Sequence, residues 1–481
     1  MSIQDVWQKS LGFFRGQPIV IEPVTAALAT DAGLLPIREF DEKIGWTDRF
    51  AAALVDHRGG PALTHSFLEM ARSRVYGILA DYEDQNDHDA LRHDAVFKLI
   101  AGRTPDGDDL ASQPTLSRFE NAIGPPSLVR LEHVFIDQFI ASFATPPTQL
   151  TFDIDVFDDP THGAQQLTFY NGFYEQYQYL PRLITCADND MVVMTALLFG
   201  TAPAWLGIVR DLEYLVGRLR AVWPDVRILF RADSGFATPR FYAACERLVV
   251  EYTVGLGMNA VLKRLSDELL AEAVRRFEAT GQPQRLFTMF EYQARTWPRP
   301  RRTIVKAEAN AAGTNRRAVV TNRPGAAVLP AAGYDEYADR GESENRNKEL
   351  KRGLSADRLS DHRYMANYFR LYLHSAAANL LVLLRRACAC PPVPEPASEL
   401  PTAALAGSER KRFFNRRREL DPLGEGHPET WRSRLIKVAA EVIVSARRIL
   451  VRLSGSWPFL DHYAAVCDAV ARFPSPMFNS P

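Results

Sequence analysis

Apolar and polar positions change rhythm along the chain. In GPALTHSFLEMARSRVYGILADYED, residues Leu63, Phe67, Met70, Val75, Ile78 and Leu79 recur at helical spacing, so an amphipathic helix is predicted. HDALRHDAVFKLIAG reads as a second helix. SQPTLSRFENAI, residues 112–123, reads as a third, with Ser112 placed to cap it and Pro114 in its first turn. A short helix after the turn PDGDD is compatible with helix-turn-helix reading of DNA, and equally with an ordinary packed hairpin of helices.

Near Thr151 the period drops from 3.6 to 2. In TFDIDVF, Phe152, Ile154 and Val156 point one way and Asp153 and Asp155 the other, which predicts a strand. YLPRLITCA and MVVMTALLFG follow as strands around the turn DND at 188–190. A helix over 206–223, a strand RILFRAD at 227–233, a helix over 238–249 and a strand YTVGLGM complete the run. Three strands, helix, strand, helix, strand make a mixed sheet with flanking helices, the element order of RNase H-like nuclease domains. Residues 286–322 then hold further β-like pieces, and helical texture returns from Asp335 to Arg386. PPVPEPASELP at 391–401 is a Pro-rich linker. TWRSRLIKVAAEVIVSARRILVRL is apolar and basic, and fits a strand pair or a helix.

The fold class predicted is therefore α/β: an RNase H-like mixed-sheet catalytic domain with a β-rich insertion, preceded by a mostly helical region. The expected divisions are 1–145 for a helical N-terminal DNA-binding region, 146–260 with 331–388 for the catalytic domain, 261–330 for the insertion, and 389–481 for a basic C-terminal region.

Composition narrows the class of protein. At 481 residues, 46% hydrophobic and 24% charged, the chain has the make-up of an ordinary multi-domain globular protein. It has no apolar run of eighteen residues or more and no long apolar stretch behind its N-terminus, so neither membrane partner nor signal peptide is expected. Five scattered cysteines argue against a disulfide framework and for a reducing, cytoplasmic setting. Cys388 and Cys390 have no second pair nearby to complete a zinc site. The net charge of −1 conceals segregated patches: basic stretches at 297–302, 408–419 and Arg434 to Arg452, against an acidic one at 81–89. Such basic patches suit phosphate, or simply a solvated face.

Candidate chemistry follows from three places. Asp153 and Asp155 share a face of the first strand, and a carboxylate there is costly to bury without a cation or hydrogen bonds. Asp233 closes the fourth strand, which neighbours the first in RNase H topology. Carboxylates at those two ends suit a pair of hard cations about 3.5–4 Å apart, the geometry of in-line phosphoryl displacement. In YADRGESENRNKELK, the residues Tyr337, Arg340, Glu344 and Lys351 are spaced to fall along one side of a helix of 3.6 residues per turn. A basic–acidic–basic stripe can hold a metal-bound phosphate, and an exposed ion-paired helix shows the same pattern. His162, Gln165 and Gln166 follow the first strand and suit an approach to DNA or, more commonly, the shaping of a polar loop; His374 is read as a core or helix-face histidine rather than a ligand.

Tyr337-x2-Arg340-x3-Glu344-x6-Lys351 matches without a gap the Y-R-E-K signature of one branch of the DDE transposases. DIDVFDDPTHGAQQ (153–166) resembles the first-aspartate strand of insertion-sequence transposases of that branch, and RADSGF (231–236) the second-aspartate segment. The three occur in the required order, with the β-like insertion before the glutamate, over roughly residues 145–385. The resemblance implies a bacterial insertion-sequence transposase, working on the nucleoid, that binds the terminal inverted repeats of its own element. It would hydrolyse the strand at each end and join the freed 3′ hydroxyls to target DNA. By the same resemblance Asp155, Asp233 and Glu344 hold two Mg²⁺ or Mn²⁺ ions, and Arg340, Lys351 and Tyr337 contact the DNA strand. The usual D-x-T is here Asp155-Val156-Phe157, which keeps Asp153 as an alternative first ligand. Double-stranded DNA is the expected partner. A homodimer is expected on paired ends, the Gln113–Asn121 helix in end recognition, and segment 408–418 on the DNA backbone. An RNase H-like nuclease without strand transfer, or a domesticated DNA-binding protein, are the alternatives; no aromatic sugar platform supports a paired-carboxylate glycosidase.

Overall fold

The computed structural model describes residues 7–13, 17, 19–58, 63–324, 329–389, 412, 415–417 and 419–474. The helical texture of the first third forms α1 (Leu34–Ile44), α2 (Trp46–Ala52), α3 (Phe67–Leu79), α4 (Ala95–Ala101), α5 (Gln113–Asn121) and α6 (Pro125–Ala141). The helix expected across HDALRHDAVFKLIAG is split. Asp94 interrupts it by capping α4, its Oδ1 accepting from the amides of Val96 (2.8 Å) and Phe97 (2.9 Å). At α5 the expected cap also differs. The Ser112 hydroxyl faces Thr115 Oγ1 at 3.2 Å, and Asp89 Oδ1 takes the Gln113 amide at 2.9 Å.

The alternating segment forms β1 (Gln149–Val156), followed by β2 (Gln176–Cys186) and β3 (Val192–Phe199). Then come α7 (Ile208–Val222), β4 (Arg227–Ala232), α8 (Pro239–Arg247) and β5 (Glu251–Leu256). β1 runs parallel to β4, β4 parallel to β5, and β2 and β3 are antiparallel neighbours on the other side of β1. The strand order β3-β2-β1-β4-β5 is that of an RNase H-like sheet. Its centre is held by apolar residues of β1 and β4: Phe152, Ile154 and Phe230 are fully buried, and the Phe152 and Phe230 rings stack at 5.5 Å.

Residues 284–321 are strands, as their pattern predicts: β6 (Gln284–Tyr292), β7 (Arg301–Asn310) and β8 (Gly313–Thr321). Two helices precede them, Ala260–Leu265 and α9 (Asp267–Thr280). This segment continues the central sheet, because β8 pairs antiparallel with β5 from Thr253↔Thr321 to Leu256↔Ala318.

Beyond it stand α10 (Pro330–Ala338), α11 (Gly341–Lys348), a π-helical turn at Glu349–Gly353, and α12 (Tyr364–Cys388). The segment open between strand pair and helix is mainly a hairpin, β9 (Ala440–Val444) with β10 (Ile449–Leu453), before α13 (Leu460–Arg472). β9 also pairs with the short strand Leu28–Ala29, and Lys43 Nζ of α1 donates to the carbonyl of Val470 at 2.7 Å. The two ends of the described chain therefore pack on each other. The basic segment 408–418 lies mostly outside the described residues, as does Cys390. No helix among the described residues is long and apolar enough to cross a membrane.

A buried ion triad fastens α3, α5 and α12. Glu120, fully buried, accepts from Arg74 Nε at 2.7 Å and from Arg370 Nε at 2.5 Å. Burial works against its charge, yet Arg370 and Arg74 hold its carboxyl down at about 2. Glu120→Ala leaves two buried guanidinium groups without their acceptor. It should cost about 3–5 kcal/mol of stability in urea unfolding, and a change near zero would contradict the role of the triad.

His374 is a core residue, as its sequence context predicts, with Nδ1 on the carbonyl of Leu354 at 2.8 Å. Burial, assisted by the charge of Arg74, pushes both His374 and His88 down to about 3. Both are neutral in the fold and take up protons near 6.5 once unfolded, so stability is complete above that pH and falls as pH drops from 6.5 towards 3. The loss should approach about 1.4 kcal/mol per pH unit for each histidine. Urea midpoints between pH 7 and pH 5 measure it; a flat profile would contradict buried neutral rings.

Candidate active site

The parallel register of β1 and β4 sets the site. Ile154 lies opposite Ala232, so the next residues, Asp155 and Asp233, stand level at the C-terminal ends of these two adjacent strands. Asp233 opens a 3-10 turn at Ser234–Phe236, where its Oδ1 accepts from the Gly235 amide at 2.9 Å. Asp155 Oδ1 accepts from the Val156 amide at 2.9 Å. Its Oδ2 accepts from Asn347 Nδ2 at 3.0 Å, Arg340 Nη1 at 3.2 Å and Ser343 Oγ at 3.5 Å. Burial drives the Asp155 carboxyl up to about 6; Arg340 opposes the rise, and the charges of Asp233 and Glu344 add to it.

Tyr337, Arg340, Glu344 and Lys351 do not lie on one helix, as their spacing had predicted. Tyr337 belongs to α10, Arg340 stands at the start of α11, Glu344 is within α11, and Lys351 lies in the π-helical turn. The chain tightens between the two helices: the Arg340 amide bonds to the carbonyl of Tyr337 (3.0 Å) and the Ser343 amide to that of Arg340 (2.8 Å). That break turns the Arg340 guanidinium onto Asp155 and, at 3.6 Å, onto Glu344, whose side chain is 57% exposed. The Tyr337 hydroxyl stands 2.6 Å from where a Cβ on Gly255 would be, so β5 needs glycine there to admit the ring. Burial raises the Tyr337 hydroxyl, Arg340 lowers it, and the charge of Asp233 adds to the rise. Lys351 swings away to donate to Asp158 at 2.6 Å, with Asp357 at 3.8 Å.

The charges of Asp233 and Glu344 thus both reach Asp155. Among the described residues, no group of three His, Cys, Asp or Glu side chains stands close enough to hold one ion. The cation between these carboxylates is Arg340. The donors still fit a hard divalent ion, because all three side chains are carboxylates. Asp153 is engaged differently. Both its oxygens accept from Arg231, at 2.7 and 2.8 Å, and Arg231 Nη1 donates to the carbonyl of Glu336 at 2.7 Å, tying the two strands to α10.

Sequence reasoning missed Arg231, Ser343, Asn347 and Asp158. Arg231 had a signal: it stands two residues before Asp233, as Asp153 stands before Asp155, and parallel pairing puts it opposite Asp153. Asn347 had none, because its role depends on how α11 is turned. Gln165 and Gln166 shape a loop as their context predicts, Gln165 Oε1 accepting from Asn367 at 3.3 Å and the Gln166 amide donating to the carbonyl of His362 at 2.9 Å. His162 is exposed there.

An α/β sheet of this order, with two aspartates level at the ends of adjacent central strands and the helix carrying Glu344 beside them, defines the nuclease-like class to which DDE enzymes belong. The family model described as "Transposase DDE domain group 1" matches residues 13–393, and the chain belongs to that family of DNA transposases. Among solved structures, the cryo-EM structure of the piggyBac transposase synaptic complex with hairpin DNA is similar at 12% identity and a TM-score of 0.40, over 78% of this chain and 77% of that one. No curated protein matches the chain.

The two aspartates of β1 should separate in a stability measurement. Asp153→Asn leaves the buried Arg231 without its counter-charge and should cost about 3–5 kcal/mol. Asp155→Asn removes a charge that burial disfavours, so thermal stability at neutral pH should stay level or rise. A large loss in Asp155→Asn, or none in Asp153→Asn, would reverse this assignment.

Proposed function

We propose that this DDE transposase is an insertion-sequence enzyme of the Y-R-E-K branch, from a bacterial element. In this reading it binds the terminal inverted repeats of its element, hydrolyses the ends and joins the 3′ hydroxyls to target DNA. The observation that supports it is the level placement of Asp155 and Asp233 at adjacent parallel strand ends, with Arg340 and Glu344 brought beside them by α11. Asp155, Asp233 and Glu344 would hold Mg²⁺ or Mn²⁺. Bound there, two such ions supply activation of the attacking oxygen and stabilisation of the leaving one.

The remaining work falls to the chain's own residues. Arg340, partnered with Asp155 and Glu344 in the free protein, exchanges those carboxylates for a phosphate oxygen of the strand being cut. Lys351 makes the same exchange from Asp158. Tyr337, seated over Gly255, fixes the strand against β5. Residues 1–145 recognise the ends, with the Gln113–Asn121 helix contributing, and segment 408–418 adds salt-dependent backbone contacts. Two ends must be paired, so a homodimer forms on DNA.

The test is a cleavage and joining assay on labelled DNA carrying the inverted repeats that border the coding sequence. Asp155→Ala, Asp233→Ala and Glu344→Ala should each lower cleavage by orders of magnitude and leave end binding intact. Arg340→Ala and Lys351→Ala should reduce it less completely. Mg²⁺ or Mn²⁺ should support cutting and Ca²⁺ only binding, because its looser geometry misaligns the reacting groups. Near-normal cleavage by Glu344→Ala, or activity in a chelator, would refute this reading. Cleavage without joining would reduce it to a nuclease.

A further inference from the structure

Between β1 and β2 the chain makes an excursion whose tip is unusually aromatic. In LTFYNGFYEQY, residues 167–177, the side chains of Phe169, Tyr170, Phe173, Tyr174 and Tyr177 are all exposed, Phe173 at 85%. These rings are held on a built scaffold. Phe169–Asn171 pairs antiparallel with residues 176–178, Phe169 lying opposite Gln178 and Asn171 opposite Gln176. Asn171 Oδ1 accepts from the Phe173 amide at 2.9 Å and the Tyr174 amide at 3.3 Å, and its Nδ2 donates to the carbonyl of Gly200 at 2.7 Å. Gly200 is wedged so tightly that a Cβ there would stand 2.2 Å from the carbonyl oxygen of Gln178. The rings meet edge to face, Tyr170 with Tyr177 at 5.6 Å and Phe173 with Tyr174 at 4.9 Å, so in each pair the ring that offers its edge keeps both faces clear of its partner.

The patch lies beside the carboxylates. Gln176 Nε2 donates to Asp158 Oδ2 at 3.1 Å, and Asp158 is the partner of Lys351. Asp159, next to Asp158, pairs with Tyr179 in β2, so the aromatic turn extends from the part of β2 that flanks the end of β1. Tyr174 is within reach of the charges of Asp158, Asp155 and Asp233. Whatever rests on these rings is therefore next to the place where the reacting DNA strand has to lie.

We propose that the aromatic turn at 169–177 is a stacking platform for unpaired bases at the end of the DNA strand being processed. This rests on the reading of Asp155, Asp233 and Glu344 as the cutting centre. Open aromatic faces accept any base, because every base has a π-face, and the contact survives changes of sequence. The phosphate of the same nucleotide would fall towards Lys351 and Arg340, the cations already gathered beside the carboxylates. A duplex end offers such bases only when its terminal pairs open. The rings reward that opening and keep the strand end extended into the site.

The probe is a 20-bp duplex with a three-nucleotide 3′ overhang carrying 2-aminopurine, compared with the blunt duplex, in chelator so that nothing is cut. The wild-type protein should bind the overhang about tenfold more tightly and quench the 2-aminopurine fluorescence. Tyr170→Ala with Phe173→Ala should lose both effects while keeping blunt-duplex affinity and elution volume; Phe173→Trp should retain them. Equal affinities in the wild type, or an unchanged double variant, would overturn the proposal. So would a double variant altered in oligomeric state, which would make the turn an interface between copies. Overhang preference and quenching in chelator, with no cleavage of the element ends once Mg²⁺ or Mn²⁺ is supplied, would refute the catalytic reading and leave the stacking platform standing. Cleavage and joining without quenching would refute the platform alone.

Discussion

Like charges must be brought together at the end of a mixed sheet, and the rest of the site is arranged around that constraint. Parallel pairing of β1 with β4 makes Asp155 and Asp233 neighbours, and burial then raises the cost of ionising Asp155 until its carboxyl reaches about 6. The structure answers with a separate cation for three of the acidic positions along β1 and its exit: Arg231 for Asp153, Arg340 for Asp155, Lys351 for Asp158. Only the first of these pairs is fully buried and bidentate, and it joins β1, β4 and the end of α10. The other two are single contacts from the segment that carries Glu344. In the proposed function these two are exchanged for phosphate, whereas the first stays in place.

The surrounding architecture keeps that segment in place. α12 lies against β3 and α3, and the Arg74–Glu120–Arg370 triad locks it to α5 as well. Behind the π-helical turn, Glu349 accepts from Arg385 of α12 at 3.1 Å and lies 2.8 Å from His427 Nδ1. The C-terminal hairpin reaches back to pair with Leu28–Ala29. Helices, sheet and C-terminal hairpin thus share one core, which Leu350 and Leu354 join from the segment that follows α11.

Much of the fold could be read from the chain because period and burial agree. Strict alternation in TFDIDVF, apolar runs in β4 and β5, and the Thr238–Pro239 start of α8 each name their element locally. Residues 286–322 announce strands but not their sheet, since an edge-to-edge pairing such as β8 on β5 joins positions over sixty residues apart and leaves no local trace. The spacing of Tyr337, Arg340, Glu344 and Lys351 is legible as a set. Its interruption is not: the tightened turn before Ser343 and the π-turn at 349–353 are settled by what Arg340 and Lys351 find across the site. For the same reason Asp153 and Asp155 look alike in sequence and differ in the fold, because only the register against β4 shows that Arg231 takes the first.

The proposed function requires Asp155, Asp233 and Glu344 to hold a divalent cation in the place that Arg340 occupies between Asp155 and Glu344 in this structure. Mn²⁺ titration followed by electron paramagnetic resonance tests this on the protein without DNA. If the claim holds, Asp155→Asn, Asp233→Asn and Glu344→Gln each weaken Mn²⁺ binding, and Arg340→Gln strengthens it by removing the competing charge. Mn²⁺ binding that is unchanged in the three carboxylate variants, or weakened in Arg340→Gln, would contradict it.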